Sequence, residues 1–273
     1  MSIKSVFLAA AVFILSLGVK PAYSYKVGDV DIRLKAIISE QYDDNVTYAS
    51  SNEKDDFVNI AGFGLLAKGE GKMQQLDLGG NVIWHTYNEN ENFNYTSENL
   101  FLNYRREYSK FDTVRLKDSF IHSEEPASFE DEFGRTTGRY TFIKNWFNSS
   151  YTKELTENFS STFSYFNNAA AFSSSGPSDS FLNGTSIQGH YLLNAKNIIN
   201  LIYRFESRSY DTGGHVRVNS YTGGIKHFLT ERLYAHGSIG QDHVKSTLSS
   251  DNGLHLSAGI TDELNENTTL GIL

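Results

Sequence analysis

Charged and hydrogen-bonding side chains recur at every second position in several segments of the chain, as at Arg204, Glu206 and Arg208. Side chains of a β-strand point alternately to opposite faces, so residues spaced in this way share one face. A face of fixed charges suits the wall of a solute path, because the charges set its selectivity. We predict that such a wall is lined by Arg33, Lys35, Asp77, Asn81, His85, Arg105, Arg115, Lys117, Arg204, Glu206, Arg208, Lys226, His236 and Asp242.

Two interpretations of this polar face stay open at the level of sequence. Basic residues outnumber acidic ones in the set, which favours an anionic permeant. In the alternative, neighbours of opposite charge such as Arg204 and Glu206 neutralise each other and seal the interior.

Signals for catalysis are weak. Ser186 and His190 lie in phase on one predicted strand, and lipid-hydrolysing barrels use these residue types, but such a pair arises readily by chance in a Ser-rich chain. The chain has no Gly-x-Ser-x-Gly, His-Glu-x-x-His or P-loop motif, and its histidines lack metal-ligand spacing. We therefore expect no enzyme activity, no cofactor and no metal, with a barrel lipid hydrolase as a distant alternative.

Strands rather than helices must position these side chains. Apolar residues such as Leu76, Leu78 and Trp84 alternate with polar ones such as Asp77, which is a period of two and not of three and four. The pattern predicts about 12 strands and the start of another near Thr268. The predicted ranges are 29–44, 56–68, 72–87, 94–107, 112–123, 137–151, 158–171, 182–194, 197–210, 215–228, 232–246 and 253–263.

The connectors between these strands are alternately long and short. A long polar connector such as 124–136 follows each odd-numbered strand, and a tight one such as 69–71 follows each even-numbered strand. Outer-membrane barrels combine long external loops with short periplasmic turns in this way. The sequence therefore predicts an all-β, antiparallel up-and-down transmembrane β-barrel over positions 25–273, with no second domain.

The first residues have the form of a secretory signal peptide over positions 1–24. Lys4 supplies the positive start, an apolar run covers 6–17, and a small-residue site ends at Ser24. The run is too short to span a bilayer as a helix, and no further apolar run follows, so a membrane anchor is disfavoured. We expect cleavage and an outer-membrane location.

The composition agrees with this location. The chain has no cysteine, so no disulfide holds the fold, and its net charge of −8 without a basic run argues against nucleic acid as a partner. The mean hydropathy of −0.39 is compatible with a barrel, because only alternate residues of its strands face lipid.

The apolar faces of the strands are expected to contact lipid, and aromatic residues near strand ends are expected at the membrane interface. The lipid-facing candidates are Val30, Ile32, Leu34, Ala36, Ile38, Leu100, Leu102, Tyr104, Ile199, Leu201, Tyr203, Phe205, Leu254, Leu256, Ala258 and Ile260. The interfacial candidates are Tyr42, Tyr108, Tyr151, Phe159, Phe228 and Tyr234.

Two charges break the lipid-facing pattern. Asp118 is in phase with Leu116 and Phe120, and Lys144 is in phase with Phe142 and Trp146. A charge facing lipid is costly near the membrane midplane, so we expect a bulge or a shifted phase at each.

The segment 38–46 reads Ile-Ser-Glu-Gln-Tyr-Asp-Asp-Asn-Val and closes the first long strand. It resembles the E-x-Y-D-D-N-V motif of a family of outer-membrane β-barrel porins encoded beside exopolysaccharide and capsule biosynthesis genes in Gram-negative bacteria. The Leu-Thr-Glu turns and the Tyr- and Phe-rich strands are similar over the whole mature length. The resemblance implies a role in export or assembly of an extracellular polysaccharide, with outer-membrane lipid, the polysaccharide and periplasmic export proteins as partners. It carries over no catalytic residues.

Two further expectations complete the interpretation. The sequence stops at Leu273, early in an odd-numbered strand, whereas single-chain bacterial barrels have even strand numbers, so we expect the C-terminus to be incomplete. The alternative to a porin-like function is a non-conducting structural or adhesive barrel that presents acidic loops.

Overall fold

The computed structural model describes residues 24–49, 51–124, 139–173, 177–265 and 268–272. Their strands form one 14-stranded sheet whose spatial order follows the order along the chain. The strands are β1 (Ser24–Val27), β2 (Val30–Asp43), β3 (Asp56–Gly71), β4 (Gln74–Tyr87), β5 (Tyr95–Ser109), β6 (Asp112–Ser123), β7 (Phe142–Thr156), β8 (Phe159–Phe172), β9 (Ser180–Asn194), β10 (Asn197–Tyr210), β11 (His215–Phe228), β12 (Leu233–Ser246), β13 (Ser250–Asn265) and β14 (Thr268–Ile272).

Every neighbouring pair of strands is antiparallel, so the predicted all-β, up-and-down barrel fold is confirmed. Long loops join β2 to β3, β4 to β5 and β6 to β7, whereas two-residue turns join β3 to β4, β5 to β6 and β7 to β8. Positions 125–138 of the β6–β7 loop and the first 23 residues of the predicted signal peptide, 1–24, lie outside the described residues. Within the described ranges, no helix is long and apolar enough to cross a membrane.

The structure differs most from the predicted strands at β1 and β7. The short strand β1 was not predicted; it pairs with β2 across a turn in which Gly28 has φ of +60°, a conformation that glycine adopts without strain. Strand β7 spans Phe142–Thr156, so it begins and ends five residues later than the predicted range 137–151. Phe142 pairs with Ser123, the last residue of β6, and the described residues 139–141 precede the strand.

The two faces of the sheet follow from the register, because directly opposed residues of an antiparallel pair lie on the same face. Leu34 opposes Leu65, which opposes Gly80, which opposes Leu100. Continuing the ladders to β13 places all the lipid-facing candidates on this same face, which we call the outer face. Leu254 and Leu256 are 76% and 78% exposed there, as expected of side chains that meet lipid.

The opposite, inner face carries the buried cluster of the fold. Val46, Val58 and Tyr87 are buried together where two long loops fold over this face, and Phe93 and Tyr95 pack against them. We call this cluster the mouth, because it lies at the long-loop end of the strands.

Of the six aromatic residues predicted at the membrane interface, four lie on the outer face and two do not. The register places Phe228 and Tyr234 on the inner face, because Phe228 opposes Tyr234 in phase with the inner residue Lys226. Proximity to a strand end therefore did not reveal which face these rings occupy.

The two charges that break the pattern have different explanations. Lys144 lies on the inner face together with Phe142 and Trp146, so β7 has the shifted phase that we expected and Lys144 does not face lipid. Asp118 does lie on the outer face, opposite Leu102 on one side and Phe147 on the other. The register shift between β5 and β6 lies between Glu107 and Ser109 and not at Asp118, so the bulge expected at Asp118 is absent.

Candidate functional site

The inner face brings the predicted wall residues together. The register puts all of them on it, from Arg33 on β2 through Arg105 on β5 to Asp242 on β12. They share a face because each occupies the polar phase of an alternating strand. The structure also adds inner-face charges that were not in the predicted set, notably Lys68 and Lys144.

Ion pairs on the inner face run along the wall. Each pair joins residues of the same strand or of neighbouring strands, so these contacts neutralise charge locally and do not bridge the interior. The pairs are Asp31 with Arg33 at 2.7 Å, Glu107 with Arg105 at 2.6 Å, Asp77 with Lys68 at 3.7 Å, and Glu206 with Arg204. Asp242 also lies 3.5 Å from Nδ1 of His255.

Basic residues concentrate on β5 and β6. Arg105 and Arg115 directly oppose each other, and Lys117 follows Arg115 on the same face. The residues that oppose Lys117 are Asn103 and Asn148, which are neutral amides. We call Arg105, Arg115 and Lys117 the basic patch.

An uncharged, hydrogen-bonding surface lies beside the basic patch on β7, β8 and β9. Ser150, Ser164 and Ser186 form one row across the three strands, and the row is flanked by Arg115 on one side and Arg204 on the other. Parallel to it, Thr152 and Thr162 are joined through their hydroxyl oxygens at 2.9 Å, and Gln188 continues the second row. We call these two rows the hydroxyl wall.

Aromatic rings support cations on the inner face. The guanidinium of Arg204 lies 4.5 Å from the centre of the Phe166 ring, and Lys226 Nζ lies 3.4 Å from the centre of the Tyr234 ring. Phe166 packs directly on Gly184: a Cβ at position 184 would come within 2.0 Å of the ring. Glycine is therefore required where this ring approaches the backbone of the next strand.

Arg139, in the β6–β7 loop, joins three loops at the mouth. Its guanidinium donates to the backbone oxygens of Val46 at 3.1 Å and Phe93 at 3.3 Å, to Tyr87 Oη at 2.8 Å and to Glu124 Oε2 at 3.3 Å. Tyr87 also lies 4.9 Å from the guanidinium, as measured to its ring centre, and the side chain of Arg139 is only 9% exposed. Burial alone lowers the pKa of Arg139, but Tyr87 and Glu124 raise it by more, so the group is held in its charged form.

The motif at positions 40–46 has a structural role at this mouth. Tyr42 Oη donates to Asp55 at 2.9 Å across the loop, and Asp43 Oδ1 accepts the backbone N–H of Asn45 at 2.9 Å to turn the chain. Val46 is then fully buried and presents its carbonyl to Arg139. Sequence reasoning missed Arg139 because it assigned position 139 to a strand.

Asp56 anchors the next loop at the mouth. It accepts hydrogen bonds from the backbone N–H groups of Glu89 at 3.0 Å and Asn90 at 2.8 Å and from the Asn90 side chain at 3.0 Å. Asp56 begins β3 at the loop end, beyond the apolar part of the strand. Burial raises the pKa of its carboxyl, but the hydrogen bonds from Asn90 and Glu89 lower it by more, so this pKa lies below its ordinary value.

The candidate hydrolase residues are not placed as a catalytic pair. Ser186 and His190 share the inner face of β9, but four residues along a strand separate them by about 13 Å. His190 Nδ1 is instead hydrogen-bonded to Asn200 Oδ1 at 2.6 Å. Among the described residues, no group of three side chains is arranged to hold a metal ion.

Among known proteins, similarity to the chain is found in solved structures. No protein-family model and no curated protein matches the chain. Among solved structures, the ferric citrate transporter FecA in its unliganded form aligns with 89% of this chain and 43% of its own, at 9% identity and a TM-score of 0.51. An outer membrane channel from Pseudomonas putida F1 covers 86% of this chain and 96% of its own, at 12% identity and a TM-score of 0.43. The outer-membrane protein OmpT of Vibrio cholerae covers 86% and 99%, at 10% identity and a TM-score of 0.45.

Taken with the apolar outer face, the fold is that of outer-membrane β-barrels. A chain of this kind satisfies its backbone hydrogen bonds between strands and presents apolar side chains to lipid, which is what a bilayer requires. The protein has the fold of an outer-membrane β-barrel, and that fold belongs in an outer membrane.

Proposed function

We propose that the protein is an outer-membrane channel that serves the export or assembly of an extracellular polysaccharide. The observation that carries the proposal is the hydroxyl wall on the inner face, flanked by Arg115 and Arg204. Hydroxyl and amide side chains both donate and accept hydrogen bonds, so they match the hydroxyl groups of a sugar chain without holding it by charge.

The arrangement of the ion pairs supports a conduit rather than a sealed interior. Pairs such as Arg33 with Asp31 satisfy charges along one strand and leave the space in front of the wall to solvent or solute. The resemblance of positions 38–46 to porins of polysaccharide loci supports the choice of permeant. Periplasmic export proteins are the partners that this role requires.

Conductance of the purified protein in planar bilayers tests the proposal. We expect stable single channels whose current is interrupted by maltodextrin. Ser186→Leu replaces a hydroxyl in the hydroxyl wall and is expected to reduce the frequency of these interruptions several-fold. Thr185→Leu is the matched control, because Thr185 lies on the outer face of the same strand. Channels whose current is unchanged by maltodextrin would contradict the proposal, as would a protein that is verified as folded and carries no current.

A non-conducting structural barrel is the second candidate, and the mouth favours it. Arg139 is hydrogen-bonded to residues of three loops over one part of the inner face, and loops held there would obstruct the opening of a barrel. If the folded wild-type protein and the folded Arg139→Gln variant both carry no current, this candidate is supported. The proposal assigns no catalysis; phospholipid hydrolysis that Ser186→Ala abolishes would instead favour a hydrolase.

A further inference from the structure

We infer that the basic patch, Arg105, Arg115 and Lys117, is a binding site for an oxyanion group of the solute, so that the channel takes an acidic polysaccharide. The group is a carboxylate, sulfate or phosphate. The inference rests on the proposed function for its biological meaning, but the site itself can be tested without transport.

The arrangement of the basic patch costs energy. Arg105 and Arg115 directly oppose each other on neighbouring antiparallel strands. Side chains at such positions are close neighbours, and like charges there destabilise the sheet. Lys117 adds a third positive charge two residues further along the same face of β6. A bound anion would remove this repulsion.

Positive charge in the basic patch exceeds the negative charge bound to it. Glu107 accepts a hydrogen bond from Arg105 at 2.6 Å and is the carboxylate bound to this patch. Asp77, on the neighbouring strand, lies 3.7 Å from Lys68 instead. The patch therefore holds three cations against one bound carboxylate, and Nε of Arg105 is buried without a hydrogen-bond partner among the described residues.

The basic patch and the side chains around it match the chemistry of an acidic sugar. Two guanidinium groups offer planar, paired N–H donors that match the two oxygens of a carboxylate or the oxygens of a phosphate. Next to them, Ser150 begins the hydroxyl wall, and Asn103 and Asn148 flank Lys117. An anionic group held at the patch would thus place its attached sugar hydroxyls against neutral hydrogen-bonding side chains.

Equilibrium binding to the folded, full-length protein in detergent tests the site. Trp146 lies on the inner face, 39% exposed and two residues from Asn148, so its fluorescence can report occupancy once the outer-face Trp84 is replaced by Phe. The probes are oligogalacturonate as the carboxylate, heparin-derived oligosaccharide as the sulfate, polyphosphate as the phosphate, and maltodextrin as the neutral sugar.

The variants are Arg115→Gln and Lys117→Gln, with Arg33→Gln as the matched control. Arg33 is also an inner-face arginine, but Asp31 neutralises it at 2.7 Å. We expect Arg115→Gln and Lys117→Gln to weaken binding of the anionic probes by tenfold or more. Arg33→Gln should change it less than twofold, and no variant should change maltodextrin binding. Equal effects of Arg115→Gln and Arg33→Gln would overturn the inference, as would a wild-type protein that does not prefer anionic probes.

A stability measurement separates a binding site from a structural role. Because Arg115 opposes Arg105, Arg115→Gln should not lower the melting temperature, whereas loss of a structural arginine would lower it. Arg115→Lys keeps the charge without the planar fork and should bind with intermediate affinity. Anion binding without conductance would refute the channel and keep the site; conductance without charge preference would refute the site and keep the channel.

Discussion

Asn145 on β7 donates a hydrogen bond from its side-chain Nδ2 to Oδ1 of Asp118 on β6 at 2.9 Å, and both residues lie on the outer face. The flanking outer-face residues, Leu102 and Phe147, are apolar. The pair explains how a carboxylate persists on a face that otherwise meets lipid: the amide supplies the donor that lipid lacks.

The first prediction concerns this pair. Asn145→Leu should lower the free energy of unfolding in liposomes by about 1–3 kcal/mol, because it leaves a charged acceptor without its donor. The double variant Asp118→Leu with Asn145→Leu should recover most of the loss. Ser149→Leu, on the same outer face of β7, is the control and should not destabilise the protein. A fully additive double variant, measured by denaturant titration, would show that the pair is not coupled.

The second prediction concerns the mouth. Arg139→Gln should lower the free energy of unfolding by about 2 kcal/mol, because a buried charged donor is lost and its acceptors stay behind. The loop that it holds should also open, so that trypsin cleaves after Lys54 several-fold faster. Cleavage after Lys72, in a turn at the opposite end of the strands, is the internal control. Arg139→Lys keeps the charge and should give an intermediate rate; unchanged cleavage in both variants would count against the network.

The third prediction concerns the contact between Gly184 and Phe166. Gly184→Ala should destabilise the protein by about 1–3 kcal/mol, because the new methyl group overlaps the phenyl ring and the chain must shift. Displacing Phe166 should also loosen Arg204, which stacks on it. Gly253→Ala is the matched control on the inner face, where a Cβ would lie 3.9 Å from its nearest neighbour. Thermal denaturation compares the two, and equal melting temperatures would argue against the predicted overlap.

The fourth prediction concerns acid. The pKa of Asp56 is lower in the folded protein than its ordinary value, so its stabilising effect is complete above that ordinary value and is lost as the pH falls below it. The wild-type protein should therefore lose stability from about pH 4 downwards. Asp56→Asn should be less stable at neutral pH but lose less on acidification. Parallel pH profiles of the two proteins would contradict the role of this carboxyl.

Much of the fold could be predicted because apolar and polar residues alternate within each strand, and this alternation is a local property of the sequence. The predicted ranges of β3, β4, β8 and β10 rest on alternations such as that of Leu76 and Leu78. They agree with the observed ranges to within a few residues. Prediction failed at β7, where Arg139 contacts Tyr87 in the mouth and does not belong to the strand. This contact joins residues 52 positions apart, so it is not visible in the local pattern.

By itself, the sequence determined which residues alternate and hence which of them can share a face, since strand geometry makes every second side chain point the same way. It thereby determined the strands, their up-and-down order and the membership of the polar face. Only the tertiary structure decided which residues of neighbouring strands and loops lie opposite each other. The register between strands β5 and β6 brings Arg105 opposite Arg115, and the folding of three loops brings Arg139 onto Tyr87. These residues lie on different strands and loops, so the energies of their interactions depend on pairing and packing that no local pattern contains.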